Sequence, residues 1–168
     1  MPDSDNQTNF ELPLSIAQPV TIGLILRELS LIDEHLNQEN IRDPAKQIEV
    51  KASLKLNELL SLNNIDIADK SQRLALIKIL NQIRESAPVV NVSFSTEASE
   101  EFIQKIAKWF RDGVDPMCLV IVGMEPSMGA GSIVRTPNKV FDFSLKSQLH
   151  SKRGLLEDRI KQLNVEAA

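Results

Sequence analysis

Residues 124–145 read MEPSMGAGSIVRTPNKVFDFSL, and this stretch decides the fold of the second half of the chain. Glycines at its start lead into an apolar strand over residues 132–135, and a second strand follows over residues 139–143. Pro137 and Asn138 suit the two central positions of a four-residue turn, because proline presets φ and asparagine tolerates the next position. The stretch therefore predicts a loop followed by a β-hairpin.

A helix from about residue 144 to residue 163 is predicted to follow the hairpin. Asp142 and Ser144 carry side-chain oxygens that can accept hydrogen bonds from the free amides of a first helical turn. Apolar residues then recur at helical spacing, so one side of the helix is apolar. That side consists of Leu145, Leu149, Leu156, Ile160 and Leu163.

Upstream of the glycines, the pattern predicts a strand, a helix and a second strand. Residues 90–94 alternate between apolar and polar, which is typical of a strand. Thr96 or Ser99 can cap a helix that ends near Gly113. Residues 118–122 are continuously apolar, which predicts a strand buried on both faces in the middle of the sheet. Two strands joined through a helix are expected to be parallel, with a right-handed crossover. The helix carries an apolar cluster predicted to pack on the sheet: Phe102, Ile106, Trp109 and Phe110.

The first half of the chain carries three stretches of helical periodicity. The first runs over about residues 20–40, directly after Pro19. Ser53 can cap a second helix, and Asp69 can cap a third over residues 70–86. Four residues of the third helix are predicted to face inward: Leu74, Ile77, Leu80 and Ile83. Residues 2–7 are polar and predict a disordered lead-in.

Composition narrows the classes of function. The net charge is -4, which does not favour binding to nucleic acid through phosphate neutralisation. The single cysteine, Cys118, lies within an apolar strand and has no partner for an internal disulfide. No apolar run approaches the roughly 18 residues needed to span a bilayer, so we expect any membrane association to be indirect, through a partner.

The sequence therefore predicts an α/β protein with two parts. Residues 1–87 form a helical amino-terminal module of about three helices with its lead-in. Residues 88–168 form a small mixed sheet in the order strand, helix, strand, hairpin, helix. The change from helical to alternating periodicity at Pro88 marks the predicted domain boundary.

Residues 88–163 resemble the carboxyl-terminal domain of the delta subunit of F-type ATP synthases, called OSCP in mitochondria. The family signature combines an acidic residue, Pro-Ser, a glycine pair, a hairpin, Asp-x-Ser and a leucine helix. Two details differ: Glu125 stands where the family usually has aspartate, and Ala130 separates the glycines. The amino-terminal part offers about three helices where the family carries a six-helix bundle. Matching positions are Glu125, Pro126, Ser127, Met128, Gly129, Gly131, Ile133, Val134, Val140, Asp142, Ser144, Leu145 and Leu149.

The resemblance implies a non-catalytic peripheral-stalk subunit of a proton-translocating ATP synthase, linking the catalytic head to the b-subunit stalk. Its implied partners are the alpha and b subunits, and its implied location is cytoplasmic, peripheral on the inner face of the membrane. No cofactor, metal or catalytic residue is implied. The partner face is predicted at Leu145, Leu149, Leu156, Ile160 and Leu163. Arg27 and the first helix are weaker candidates for the side facing the head.

Several other interpretations remain open from the sequence. The leucine stripe can instead cover the sheet, and core packing is favoured over docking for Leu145 and Leu149. The chain can be an independent protein–protein binding or regulatory module with a delta-like domain. A phosphate-ester enzyme would use the glycines to cradle an anion, but Gly131 leads into a strand rather than a helix. Asp142 and Ser144 fit helix capping better than a hydrolase triad with His150.

Overall fold

The computed structural model describes residues 10–42 and 51–154 of the chain. Within these residues helices and strands occur in the order predicted from the sequence, and the α/β class is confirmed. The helices are α1 Pro19–Arg42, α2 Leu54–Leu62, α3 Lys70–Ser86, α4 Glu100–Gly113 and α5 Leu145–Ser151. The strands are β1 Val89–Phe94, β2 Leu119–Met124, β3 Ser132–Arg135 and β4 Val140–Asp142. A short 3₁₀ turn, Pro126–Met128, lies between β2 and β3.

The described strands form one mixed sheet in the order β2-β1-β3-β4. β1 pairs antiparallel with β3, and β3 pairs antiparallel with β4 as the predicted hairpin. β1 and β2 are parallel, because the Leu119 amide donates to the Pro88 carbonyl and, six residues on in both strands, the Glu125 amide donates to the Phe94 carbonyl. The predicted parallel pairing is therefore confirmed.

The predicted central position of β2 is wrong. The strand stands at one end of the sheet order. Leu119 and Val120 are fully buried, whereas Ile121 and Met124 are exposed. The Val120 amide donates to the carbonyl of Ala17 at 2.9 Å, so the segment before α1 covers the start of this strand. The continuous apolar run is therefore explained by the burial of its first residues, Leu119 and Val120, and not by a neighbouring strand on each side.

The chain divides into two compact units. The first unit comprises residues 1–88 and 103–120, and the second comprises residues 89–102 and 121–168. The boundaries between the units therefore fall within α4, between residues 102 and 103, and within β2, between residues 120 and 121. Whether residues 1–87 and 88–168 fold as separate domains stays a prediction.

The helices of the first unit begin where the sequence predicts. The Ser53 hydroxyl accepts a hydrogen bond from the Leu56 amide at 3.3 Å, and Asp69 Oδ1 accepts one from the Ser71 amide at 2.8 Å. These contacts satisfy amides that have no partner within the helix. Both predicted caps are confirmed.

The inward face of α3 differs from the prediction at its first turns. Leu74 is exposed, while Arg73 and Leu76 are buried beside the correctly predicted Leu80 and Ile83. The Arg73 guanidinium donates two hydrogen bonds to Asp33 Oδ1, at 2.7 and 2.9 Å. Its remaining donors reach the carbonyls of residues 67 and 68. This buried ion pair ties α3 to α1 and rotates the arginine inward.

A second arginine fastens the segment before α1. Arg111 of α4 donates to the carbonyls of Leu12, Pro13 and Ile16 at 2.6 to 3.0 Å, and to that of Cys118 at 3.2 Å. Burial lowers the pKa of the Arg111 guanidinium. Burial, and to a smaller extent the charge of nearby Asp115, raises the pKa of the Cys118 thiol, so this thiol is a poor nucleophile. Both groups serve packing in the first unit.

The apolar cluster of α4 is only partly inward. Phe110 is buried, and its ring contacts that of Trp109 edge to face at 4.9 Å. Trp109 itself is 69% exposed, so the prediction that it packs on the sheet is wrong. In the second unit, the ring of Phe102 packs edge to face on Phe94 of β1 at 5.2 Å.

Candidate partner-binding surface

The glycine loop holds the start of α5 against the hairpin. Gly131 has a φ of +98°, and a Cβ at this position would collide with the Phe143 carbonyl oxygen and lie 2.9 Å from Ser144 Cα. The Leu145 amide donates to the Ala130 carbonyl at 2.9 Å. Gly129 also has a positive φ, of +76°, but has open space around it. The conformational role predicted for the glycines is confirmed, since only glycine permits the close approach at residue 131.

Asp142 and Ser144 act as turn and capping residues. Asp142 Oδ1 accepts a hydrogen bond from the Ser144 amide at 2.8 Å, and the buried Ser144 hydroxyl accepts one from the Ser147 amide at 3.2 Å. Hydrogen bonds from the Ser144 side chain and amide, with the nearby charges of Arg135 and Lys146, lower the pKa of Asp142. These contacts fix the direction in which α5 leaves the sheet.

The predicted partner residues on α5 are exposed where the structure describes them. Leu145 is 48% exposed and Leu149 is 51% exposed. None of the residues from Leu145 to Ser151 is buried. The expectation that these two leucines pack in the core is therefore wrong. The remaining predicted partner residues lie outside the described residues: Leu156, Ile160 and Leu163.

One face of the sheet in the second unit ends in an uncovered aromatic pair. Val92, Val134 and Phe141 are partners across three strands, so their side chains point to the same face. Val92 is buried at one end of this row, while Phe141 is exposed at the other. Phe143 shares the face, and its ring stacks on that of Phe141 with centroids 6.3 Å apart. The two rings were not predicted as a surface from the sequence, although their spacing of two residues on a strand is a signal for a common face.

The hairpin, the 3₁₀ turn and α5 enclose a groove of about 720 Å³. Met128 and Ile133 contribute apolar side chains to it, and Glu125 and Asp142 contribute carboxylates. The remaining lining residues are Ser127 and, from the start of α5 onward, Ser144, Lys146, Ser147, Leu149, His150 and Arg153. We call this site the α5 groove.

The α5 groove is lined by the basic side of the helix rather than by its leucine stripe. Lys146 and His150 are four residues apart on α5, which places them on one side of that helix, and Arg153 reaches the groove from beyond the end of α5. Leu149 also lines the groove, whereas Leu145 does not. The spacing of Lys146 and His150 is visible in the sequence, whereas the partner face predicted on this helix consists of aliphatic residues only.

The His, Cys, Asp and Glu side chains of the described residues are not grouped as metal ligands. Residues 10–42 and 51–154 hold no group of three His, Cys, Asp or Glu side chains placed to bind a metal ion. In the same residues every buried side-chain nitrogen or oxygen has a hydrogen-bond partner. What the second unit presents is an apolar surface, stacked aromatic rings and a charged groove, which suit binding of another protein.

Comparison with known proteins adds no relative to this description. No family model matches the chain, and no curated protein matches it. Within the described residues, no helix has both the length and the hydropathy that crossing a membrane requires.

Proposed function

We propose that this chain is a non-catalytic peripheral-stalk subunit of a proton-translocating F-type ATP synthase. In this role it links the catalytic head to the b-subunit stalk and lies on the inner, cytoplasmic face of the membrane through the complex. The proposal joins the resemblance in residues 88–163 to the exposed apolar surface that the same residues present.

The observation that carries the proposal is the thin core of the second unit. Among its described residues, the buried apolar side chains are Val90, Val92 and Met128. Its large exposed apolar side chains outnumber them: Phe102, Ile121, Met124, Val140, Phe141, Phe143, Leu145 and Leu149. A small unit in which exposed apolar side chains outnumber the buried ones supports a surface that another protein covers.

A subunit that transmits mechanical force needs a binding surface that the fold holds in a fixed position. Gly131 presses the loop on the start of α5, and Ser144 caps that helix. Thr136 and Lys139 close the hairpin with a hydrogen bond of 2.9 Å from the Thr136 amide to the Lys139 carbonyl. These contacts hold Leu145 and Leu149 in a set direction, as docking of a stalk helix requires.

The helical part of the chain offers a second surface, for the alpha subunit. Val20, Leu24 and Leu31 are exposed on α1. Their spacing of four and seven residues places them on one side of that helix, with Arg27 among them. We assign the head-facing contact to this side of α1.

The experiment is recovery of the tagged full-length chain from native membranes. We expect the alpha, beta and b subunits to be recovered with it. The doubly substituted chain Leu145→Asp, Leu149→Asp should lose the b subunit. Leu54→Asp is the matched control, because Leu54 of α2 is 88% exposed and lies in the first unit. Recovery of other proteins without any synthase subunit would overturn the proposal and favour an independent binding module.

A further inference from the structure

We infer that β4 pairs edge to edge with β4 of a second copy of this chain. The inference goes beyond the proposed function and does not depend on it. It arises from the outer edge of the hairpin, where a strand that stands at the end of the sheet order is exposed along its whole length.

The hydrogen-bond pattern of the hairpin leaves two residues of β4 facing outward. The Phe143 amide donates to the Ser132 carbonyl at 2.9 Å, so the backbone of Phe143 faces β3. Residues of an antiparallel strand direct their backbone groups alternately to one side and to the other, so Phe141 also faces β3. The amides and carbonyls of Val140 and Asp142 face away from β3, and no described strand lies on that side. These groups form an open edge that can bind a further strand.

The open edge is complementary to a second copy of itself. An antiparallel pair around a two-fold axis at Phe141 sets Val140 of each copy opposite Asp142 of the other, and each such pair exchanges hydrogen bonds in both directions. A register centred on Asp142 would place two carboxylates directly opposite each other, which is unfavourable. A register centred on Val140 would need Asn138, a residue of the hairpin turn, to pair as part of a strand. The charges and the turn therefore select the register centred on Phe141.

The same register covers the exposed aromatic pair of the hairpin. Lys139, Phe141 and Phe143 lie on one face of β4, because side chains alternate along a strand. The Phe141 side chains of the two copies become direct neighbours in a pair without hydrogen bonds, where side chains lie closest. Phe143 of each copy lies opposite Lys139 of the other, whose ammonium group can lie over the ring. The stacked rings of one copy thereby meet those of the other.

The test is sedimentation equilibrium of the purified full chain from about 1 μM to about 1 mM, the range of weak and moderate affinities. β4 spans only Val140–Asp142, so the contact is small and the dimer should dissociate on dilution. Val140→Pro removes an outward amide, and proline is tolerated on an edge strand where the N–H faces solvent. Val140→Thr is the matched control, because it keeps the amide and a β-branched side chain. Each variant is checked for cooperative unfolding in urea.

A charge pair at residue 141 tests the register without proline. Phe141→Lys and Phe141→Glu each place like charges opposite each other at the two-fold axis, so each of these chains alone should stay monomeric. Mixed in equal amounts, the two chains should form a heterodimer, because opposite charges are then neighbours.

We expect the wild-type chain to form a concentration-dependent dimer. Val140→Pro should raise the dimer Kd about tenfold or more, because half of the hydrogen bonds across the edge lose their donor, while Val140→Thr stays within about twofold. A monomeric wild-type chain, or a dimer that both Val140→Pro and Phe141→Lys leave unchanged, would overturn the inference. A monomeric chain whose Val140→Pro form loses the b subunit on recovery from membranes would also overturn it and assign the edge to a partner's strand. The proposed function is tested separately, by recovery of the synthase subunits with the wild-type chain.

Discussion

The two units of this chain use apolar residues in opposite ways. The first unit buries the inward faces of α1, α2 and α3, together with Phe110 and the start of β2. Among the described residues of the second unit, Val90, Val92 and Met128 are the buried apolar side chains, while β4 is exposed and α5 has no buried residue. Both units contain leucine, isoleucine, valine and phenylalanine, so the difference lies in where the fold places these side chains. In the first unit most of the buried core of the described chain is found, although α1 also exposes Val20, Leu24 and Leu31, whereas in the second unit the exposed large apolar side chains outnumber the buried ones.

Charged groups follow the same division. In the first unit Arg73 is 1% exposed and is fully engaged by Asp33 and two backbone carbonyls. In the second unit the charged side chains of the α5 groove lie at the surface, and the ion pair between Arg135 and Glu125 is exposed at both ends. A buried pair is sensitive to loss of one partner, whereas an exposed pair contributes little to stability.

The largest contrast is expected between two leucines. Leu59 of α2 is fully buried, so Leu59→Ala should lower the free energy of unfolding by about 3 to 4 kcal/mol through lost burial and a cavity. Leu149→Ala should change it by less than about 0.5 kcal/mol, because the side chain is half exposed. Urea unfolding followed by circular dichroism measures both. If both variants lose the same free energy of unfolding, the two units do not differ in how their apolar side chains contribute to stability.

The next effect is expected at the buried ion pair. Asp33→Ala leaves the Arg73 guanidinium buried without its carboxylate and should lower the free energy of unfolding by about 3 kcal/mol. Glu34→Ala changes the neighbouring exposed carboxylate on the same helix and should alter it by less than about 0.5 kcal/mol. The same urea titration compares them. If Asp33→Ala is as stable as Glu34→Ala, the pair does not hold α1 to α3.

A smaller loss is expected in the glycine loop. Gly131→Ala combines a positive φ with a collision at the Phe143 carbonyl and should lower the free energy of unfolding by about 2 kcal/mol. Gly129→Ala tests the positive φ alone, because its surroundings are open, and should lower it by about 1 kcal/mol. Thermal unfolding of the two variants separates the contributions. A larger loss at residue 129 would contradict the close approach at residue 131.

The smallest effect concerns two aspartates that accept backbone hydrogen bonds at or just before a helix start, Asp69 in the first unit and Asp142 in the second. Hydrogen bonds from the hydroxyls and amides of Ser71 and Ser144 lower the pKa values of Asp69 and Asp142 in the folded chain. Each of these hydrogen-bonded carboxylates therefore stabilises the fold above the unfolded pKa of about 3.9, and this contribution is lost as pH falls through the lower folded value. Asparagine keeps the acceptor oxygen but does not titrate.

We therefore expect the stability advantage of the wild-type chain over Asp69→Asn and Asp142→Asn to be present at neutral pH and to shrink below about pH 4. Unfolding midpoints measured from pH 7 to pH 2 show the change. If the stability advantage of the wild-type chain instead grows as the pH falls, folding raises the pKa values of the two aspartates rather than lowering them.

Local chemistry explains which parts of the fold were predictable. Ser53, Asp69 and Ser144 cap helices through residues two or three positions away, and the hairpin turn at residues 136–139 is equally local. Such contacts are visible in the sequence because the partners are adjacent. The glycines of the loop predicted a conformational role, but the close approach that requires Gly131 is to Phe143, which lies 12 residues later in the chain.

The errors arose where a distant residue decides the outcome. Arg73 turns inward because its carboxylate partner lies 40 residues earlier in the chain. β2 is covered by Ala17, far from it in sequence, and not by a second neighbouring strand. The α5 groove forms where the hairpin, the 3₁₀ turn and α5 meet, and no local pattern of the sequence shows that meeting. Periodicity defines the sides of a helix but does not say which side meets which neighbour.

The most direct measurement is ATP-driven proton uptake by membranes stripped of the catalytic head and of this chain. We predict that adding back the head with the wild-type chain restores proton uptake, while the head with the Leu145→Asp, Leu149→Asp chain does not. Leu54→Asp should restore it as the wild type does. Full uptake from the head alone, without this chain, would contradict the proposed role as the connector.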